Sequence, residues 1–367
     1  MADQISDTRT INQLWTHAAS YIEPGLQDEW TYGRPLLAFM NDERYAGAKV
    51  KKTIPGGPDI RPGVEFEEIP AYNFDGYDQT ELQASDPFTQ GVFQWRGIIV
   101  PIGVAATEIW KTNGQKRAVG GLVKNKMTNA MNSFRKRMSE ELVQGNEGVN
   151  CKTAGNTVGS GKHIDGLRYA LNYQNDQADS YAGWDRSVNE WARHEIQDVG
   201  GAAYTMTTNY VSADPLLDYL DEYIDKCTCG MTGGEGSINL LLTTRTLMTY
   251  MRSRARKTPI PAHITVRNNL IDLGIKCQEY DGIPMFWDNE LNSNLAGVVG
   301  TEAGQCVYGL NCRTLRLYVH EDADMKLSGL TKMQNQEVFR ANLLWYGNLA
   351  CLQPRHNFVL FGCDAPA

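Results

Sequence analysis

Lys51 to Glu108 is a stretch of 58 residues whose pattern fits strands and no other regular structure, and which brings almost no core of its own. Val64 and Phe66 alternate with Glu65 and Glu67. Beyond a polar, turn-rich middle, Phe93 and Trp95 alternate with Gln94 and Arg96, so a period of two stands on both sides of a loop. Pro55-Gly56-Gly57-Pro58, Arg61-Pro62-Gly63 and Asp75-Gly76 are turn chemistries that forbid a continuous helix. A two-stranded ribbon is marginal in water by itself and has to lie against another surface. The rest of the chain offers no obvious cradle, so a neighbouring copy is the expected partner, with Val64, Phe66, Phe93, Trp95 and Arg96 as inter-subunit contacts. Buried apolar anchors there contribute roughly 1.5–3 kcal/mol each. Exposed pairs between Glu65, Glu67, Glu68 or Glu81 and Arg61 or Arg96 contribute about 0–1 kcal/mol.

The arm leads into the strongest helical pattern of the sequence. From Lys116 to Leu142, Val119, Leu122, Val123, Met127, Ala130, Met131, Phe134, Met138 and Leu142 recur at steps of three and four without a proline. The spacing predicts a helix over about 116–143, roughly 40 Å long at about 1.5 Å per residue. Between Glu108 and Glu140 the chain carries Lys111, Lys116, Arg117, Lys124, Lys126, Arg135, Lys136 and Arg137 and no acid. This charge run reads either as a solvated helix face or as a surface turned toward nucleic acid, with Lys116, Arg117, Lys124, Lys126, Arg135, Lys136 and Arg137 as the DNA-facing residues.

Past residue 200 the pattern changes to short elements of both kinds, an α+β arrangement. Leu216, Leu217, Leu220, Tyr223 and Ile224 mark a helix, Ile238 to Leu242 a buried strand, and Thr244–Arg256 a second helix. A hairpin follows, Cys277–Tyr280 and Ile283–Trp287, turned by Asp281-Gly282. The tail returns to strands at Leu315–Val319, Val338–Leu352 and Phe358–Phe361.

Composition excludes more than it selects. Of the 367 residues 42% are hydrophobic and 21% charged, which is globular and rules out collagen or a coiled-coil rod. A net charge of −8 argues against a polycation, although one face can still be basic. No apolar run is long enough to span a bilayer, and the first residues lack the basic start and apolar stretch of a signal peptide, so synthesis and retention in the cytosol are expected. The eight cysteines have no framework spacing and read as free thiols.

Catalytic motifs are near misses. Gly155 to His163 resembles a phosphate loop, but five residues separate its first glycine from Gly161-Lys162, and His163 stands where a Ser or Thr would hold magnesium. Cys227-Thr228-Cys229 has the wrong spacing for zinc, even with Cys277, His263 and His320 considered. No catalytic residue, cofactor or metal site is expected, and the chain does not read as an enzyme.

Several segments nonetheless have a recognisable order. Ile164-Asp165-Gly166-Leu167 follows the long helix. Tyr181-Ala182-Gly183-Trp184-Asp185-Arg186-Ser187 precedes Trp191-Ala192-Arg193. Asp281-Gly282-Ile283-Pro284 with Asp288 forms the later hairpin, and Asn311 to Leu317 leads out of it. In this order they resemble the major capsid proteins of tailed bacteriophages, the fold named after phage Hong Kong 97. Ala182 and Trp184 depart from that family's Gly-Gly-Ile-Asp-Arg pattern.

The resemblance implies an N-terminal arm and lead-in over 1–45, an extended two-stranded E-loop over 46–108, and a P-domain with its spine helix over 109–200. An A-domain over 201–307 and returning strands that complete the P-domain over 308–367 follow. It implies hexamers and pentamers that self-assemble into an icosahedral shell around double-stranded DNA held non-specifically. It also implies a portal protein, a separate scaffolding protein, decoration proteins, no membrane partner, and a virion capsid assembled in the host cytoplasm. The alternatives are an encapsulin-type cellular compartment, which shares the fold, and a cytosolic α/β enzyme built on residues 145–290.

Overall fold

Residues 35–41, 49–67, 73, 75–76, 87–111, 116–145, 162–171, 180–199, 215–228, 237–257, 264–265, 278–291, 305–334 and 336–363 are described in the computed structural model of this chain. The first half runs α1 (Pro35–Asn41), β1 (Lys51–Ile54), β2 (Gly63–Glu65), β3 (Phe88–Gln90), β4 (Arg96–Ala105), α2 (Ala106–Lys111) and α3 (Lys116–Gln144). Then come α4 (Leu167–Ala170), β5 (Ser180–Tyr181), β6 (Trp184–Asp185), β7 (Glu195–Asp198), α5 (Pro215–Cys227), β8 (Leu240–Thr243), α6 (Arg245–Lys257) and β9 (Ile264–Thr265). The last part holds β10 (Gln278–Tyr280), β11 (Ile283–Trp287), β12 (Gln305–Leu310), β13 (Leu315–His320), β14 (Lys326–Leu327), β15 (Thr331–Lys332), β16 (Val338–Cys351) and β17 (Phe358–Cys363). The expected short helix at Leu14, Ala18 and Tyr21 and the glycine-rich loop 155–161 lie outside the described residues.

Two sheets organise the chain. In one, β16 is the shared central strand: β4 pairs antiparallel with it along ten positions, β13 pairs with its second half, and β14 and β15 pair with its first. Strand β1 adds parallel to β13. The second sheet has the order β7-β17-β12-β8-β11-β10-β9. The strands expected to return together over 308–367 therefore divide, β13 to β16 joining the first sheet and β17 the second.

Helix α3 lays its apolar stripe on the first sheet. Val123, Met127 and Ala130 meet Ile102 and Ala341, and Phe134 meets Trp345 at 6.5 Å between ring centroids. A large core joins α1, the second half of α3 and both sheets, with Phe39 against Phe286. A second apolar cluster lies on the other face of the seven-stranded sheet. There Leu216, Leu220, Tyr223 and Ile224 of α5 and Leu247, Met248 and Met251 of α6 cover Leu241, Val307 and Leu360. The strict alternation of Leu240 and Leu242 toward one cluster and Leu241 toward the other is a strand with both faces buried.

Local chemistry explains the turns. Asp281 (φ 47°) and Gly282 (φ 81°) supply the two left-handed positions that close β10 onto β11. Ala182 (φ 54°) and Gly183 (φ 84°) do the same for β5 and β6. Ala182 thus holds a glycine-favouring backbone, at a cost of about 1 kcal/mol.

The segment Ile164 to Leu167 is a junction between elements. The buried Glu141 carboxylate of α3 accepts from His163 Nδ1 (2.9 Å) and from the Ile164 N–H (3.1 Å), and pairs with Arg137 (2.5 Å). The Asp165 N–H donates to Asn348 Oδ1 (2.9 Å), and Asn348 Nδ2 donates back to Asp165 (2.6 Å) and to the Gln94 carbonyl (2.8 Å). Three chain regions far apart in sequence are fixed to one another at β16. Nearby, the fully buried Arg186 stacks 4.9 Å over the Tyr181 ring and donates to the Ala170 carbonyl at 2.6 Å.

Cys227, Cys306, Cys312, Cys351 and Cys363 are buried and take part in no disulfide. Burial pushes the Cys306, Cys312 and Cys351 thiols up to about 12. At pH 8 only about one molecule in ten thousand would carry each of these as thiolate, the reactive form. Alkylation of the native protein at pH 8 followed by peptide mapping is expected to leave these three unmodified, and denaturant to expose all of them. Rapid native labelling would contradict their burial.

Candidate functional site

The arm and the long helix were expected to carry the molecule's contacts, and the structure redistributes both. The arm's strands pair from Ile60 and Phe93, which exchange hydrogen bonds of 2.9 Å, through β2 and β3, to the Phe66 N–H donating to the Pro87 carbonyl (3.0 Å). Only residues 73, 75 and 76 are described between Glu67 and Pro87.

Contrary to expectation, the chain supplies its own cradle for this base. Phe93 is 1% exposed and lies edge-on to Tyr181 (5.6 Å) and Trp184 (6.3 Å). Val64 is buried in the same core, and Phe66 stacks on Trp191 at 5.3 Å. The half-buried Trp95 stacks on Tyr346 (5.4 Å, 8° between planes), packs against His320 (5.5 Å), and donates through Nε1 to the Gly57 carbonyl (2.9 Å). Arg96 is buried at the start of β4. Val64, Phe66, Phe93, Trp95 and Arg96 are therefore contacts within the protomer. The cradle is the β5–β6 hairpin and the short turn Glu190–Ala192, whose aromatic residues come about a hundred positions later than the strand they cover.

What the arm and sheet leave open is their other face. Phe88 is 63% and Val92 41% exposed, beside the exposed Glu65 and Glu67. On the outer face of the first sheet, Ile99 (52% exposed) sits opposite Leu344, and Tyr346 opposite Gly97. None of these was singled out as a contact. A signal existed in Ile98-Ile99-Val100-Pro101-Ile102, an unbroken apolar run that marks a strand covered on both faces.

The basic run on α3 does not form one face. Successive residues turn by about 100°, which puts Lys124 and Arg135 along one edge of the buried stripe and Lys126 and Arg137 along the other. The exposed face between those edges carries Asn125, Thr128, Asn129, Asn132 and Ser133, with Lys136, among the described residues, the one cation near its centre. Lys126 is committed to Glu108 and to the Gly103 carbonyl, and its hydrogen bond holds the Glu108 carboxyl below the usual range. Arg137 is tied to the buried Glu141, and Lys136 stands 3.9 Å from Glu140. Lys124 is exposed, and Arg135 lies 3.5 Å from Asn132. The side chains of Lys116 and Arg117 lie outside the described residues.

Among the described residues no cluster of His, Cys, Asp and Glu is arranged to hold a metal ion. None of their helices is long and apolar enough to cross a membrane.

No family model and no curated protein matches the sequence. Solved structures do match. The cyanophage A-1(L) capsid asymmetric unit superposes with a TM-score of 0.61 at 16% identity, over 90% of this chain and 92% of that one. The capsids of the empty and native GTA particles give TM-scores of 0.52 and 0.51 at 8% and 7% identity, each over 90% of this chain. At these identities the likeness establishes the fold. The α+β fold of this chain is that of the Hong Kong 97-like capsid proteins.

Proposed function

We propose that this chain is a major capsid protein, a non-catalytic building block that self-assembles into the icosahedral head of a tailed bacteriophage. The observation that carries the reading is the end-to-end superposition on the cyanophage A-1(L) capsid chain, which leaves little of either chain unmatched.

The exposed apolar side chains support it. Ile99, Leu344 and Tyr346 on one sheet face, and Phe88 and Val92 on the arm, are surfaces that a protein remaining monomeric has reason to avoid. In this reading the arm over 46–108 is the E-loop, 109–200 holds the P-domain spine, 201–307 is the A-domain, and hexamers and pentamers close the shell. Many modest contacts then become strong through multiplicity. Packaged double-stranded DNA would meet α3 through Lys124, Arg135 and Lys136 and the neutral polar stripe between them, non-specifically. A portal, a separate scaffolding protein and decoration proteins complete the expected partners, in a virion head assembled in the host cytoplasm.

Electron microscopy of the purified protein is the direct test, with hollow regular particles tens of nanometres across as the expected result. Mass spectrometry and nucleic-acid assay of particles from infected cells should find DNA and a portal protein. A single enriched enzyme inside would instead identify a cellular compartment. A chain that stays monomeric at all concentrations would overturn the proposal.

A further inference from the structure

Two helices on the same layer carry opposite charge. Helix α5 holds Asp218, Asp221, Glu222 and Asp225 against a single base, Lys226; helix α6 holds Arg245, Arg252, Arg254, Arg256 and Lys257 and no acid. Both bury their apolar sides on the seven-stranded sheet, which leaves the charged residues of α5 exposed on its far side.

Part of this charge is used locally. Lys226 pairs with Glu222 at 2.7 Å, and Asp221 accepts from the Tyr280 hydroxyl at 2.6 Å. Arg245 stands 6.0 Å from the Trp287 ring. Among the described residues no ion pair joins α5 to α6, and Asp218, Asp225 and Arg252 make none at all.

Two of the remaining charges on each helix share a repeat. Asp218 and Asp225 are seven residues apart, as are Arg245 and Arg252, and seven residues bring a helix back to nearly the same line after about 10.5 Å. Two unneutralised stripes of opposite sign and equal spacing on one chain fit each other on two copies. A random solvated surface would mix the signs within each helix, as i,i+4 pairing does at Glu222 and Lys226.

We infer that the acidic stripe of α5 on one copy docks against the basic stripe of α6 on a second copy of this chain. A contact between two different patches is heterologous, and where the rotation closes it generates rings. The inference rests on the shell reading and names the surface that holds neighbouring subunits in register.

Charge exchange tests it. Asp218→Lys with Asp225→Lys, and separately Arg245→Glu with Arg252→Glu, are each expected to raise the concentration needed for assembly at least about tenfold. Circular dichroism should show an unchanged fold. Carrying all four changes in one chain should restore assembly, because the stripes are complementary again with their signs exchanged. Mixing the two single-stripe variants should restore association between unlike copies. Assembly of the unmodified chain should weaken between about 0.05 and 0.5 M salt, since Asp218, Asp225 and Arg245 are exposed and Arg252 half-buried.

A single-stripe variant that assembles like the parent overturns the inference, as does a folded fourfold variant that fails to assemble, or parent assembly indifferent to salt. So does a pair of arginine changes that leaves shells intact and lowers only their nucleic-acid content, which would assign α6 to DNA. If the unmodified chain forms no particles even when produced together with its scaffolding protein, the shell reading itself fails. Sedimentation of the same proteins then decides the inference separately, and absence of salt-sensitive self-association overturns it.

Discussion

Replacing Gly166 by alanine is expected to prevent stable folding, at a cost of about 4 kcal/mol or more. A Cβ at this position would lie 2.4 Å from the Glu141 carbonyl oxygen, 2.8 Å from the Gly145 nitrogen and 2.9 Å from the Leu142 carbonyl oxygen. All three are backbone atoms at the end of α3, so no side chain can rotate away. The conformation is not the difficulty, since φ is −79° and any residue adopts it. What glycine supplies is contact distance: the Gly166 N–H donates to the Gly145 carbonyl at 3.0 Å, clamping the helix end to the loop that carries Asp165.

Gly121→Ala is the control. That glycine is exposed within α3 and a Cβ there would meet nothing within 4 Å. It should be neutral or stabilise by up to about 1 kcal/mol, the difference in helix propensity. Chemical denaturation of the soluble protein reads both. A Gly166→Ala protein that unfolds at the same denaturant concentration as the parent would contradict the packing described at this junction.

Phe93→Ala should cost the unassembled protomer about 3–5 kcal/mol, the range for deleting a fully buried aromatic ring. The ring fills the space between Tyr181 and Trp184, and Gly91 is held close to the same tryptophan, so the cavity has little freedom to collapse. A melting point lowered by several degrees in dilute protomer is the expected readout. Phe88→Ala, on the exposed side of the same ribbon, should leave the protomer within about 0.5 kcal/mol of the parent and lower the yield of particles. If the effects are reversed, with Phe93 important only on assembly, the ribbon is held by a neighbour as its strand pattern first suggested.

The second pair of substitutions marks where the sequence stopped being informative. Alternation at Val64, Phe66, Phe93 and Trp95 identified the side of the extended chain that packs inward, because side-chain direction in extended backbone is a local property, although only Val64 lies in a strand and Phe93 makes an isolated bridge. It could not say what covers that side. Tyr181, Trp184 and Trp191 were visible as part of a motif, yet nothing local linked them to Phe93, and a partner on another chain looked as good as one further along the same chain. Exposure of Phe88, Ile99 and Tyr346 was hidden for the same reason: each is apolar, and only the tertiary structure shows how much of it the rest of the protomer leaves uncovered.

The long helix shows a finer version of the problem. Its extent was legible almost to the residue, Lys116–Gln144 against an expected 116–143, because apolar steps of three and four repeat without interruption. The charge run along it was legible as composition and misleading as a surface. A one-dimensional cluster of cations wraps around a helix, and here it separates into two edges, one of them neutralised by Glu108 and Glu141.

Periodicity, turn residues and the order of segments thus determined the elements, the absence of familiar catalytic spacing and the resemblance to a capsid fold, since each depends on neighbours within a few positions. The tertiary structure alone decided which apolar residues belong to the protomer and which face outward, and which cations remain unneutralised. Those outcomes depend on contacts such as Asn348 with Asp165 and Gln94, made between residues up to 254 positions apart. No local pattern encodes such a distance; packing settles it when the whole chain closes on itself.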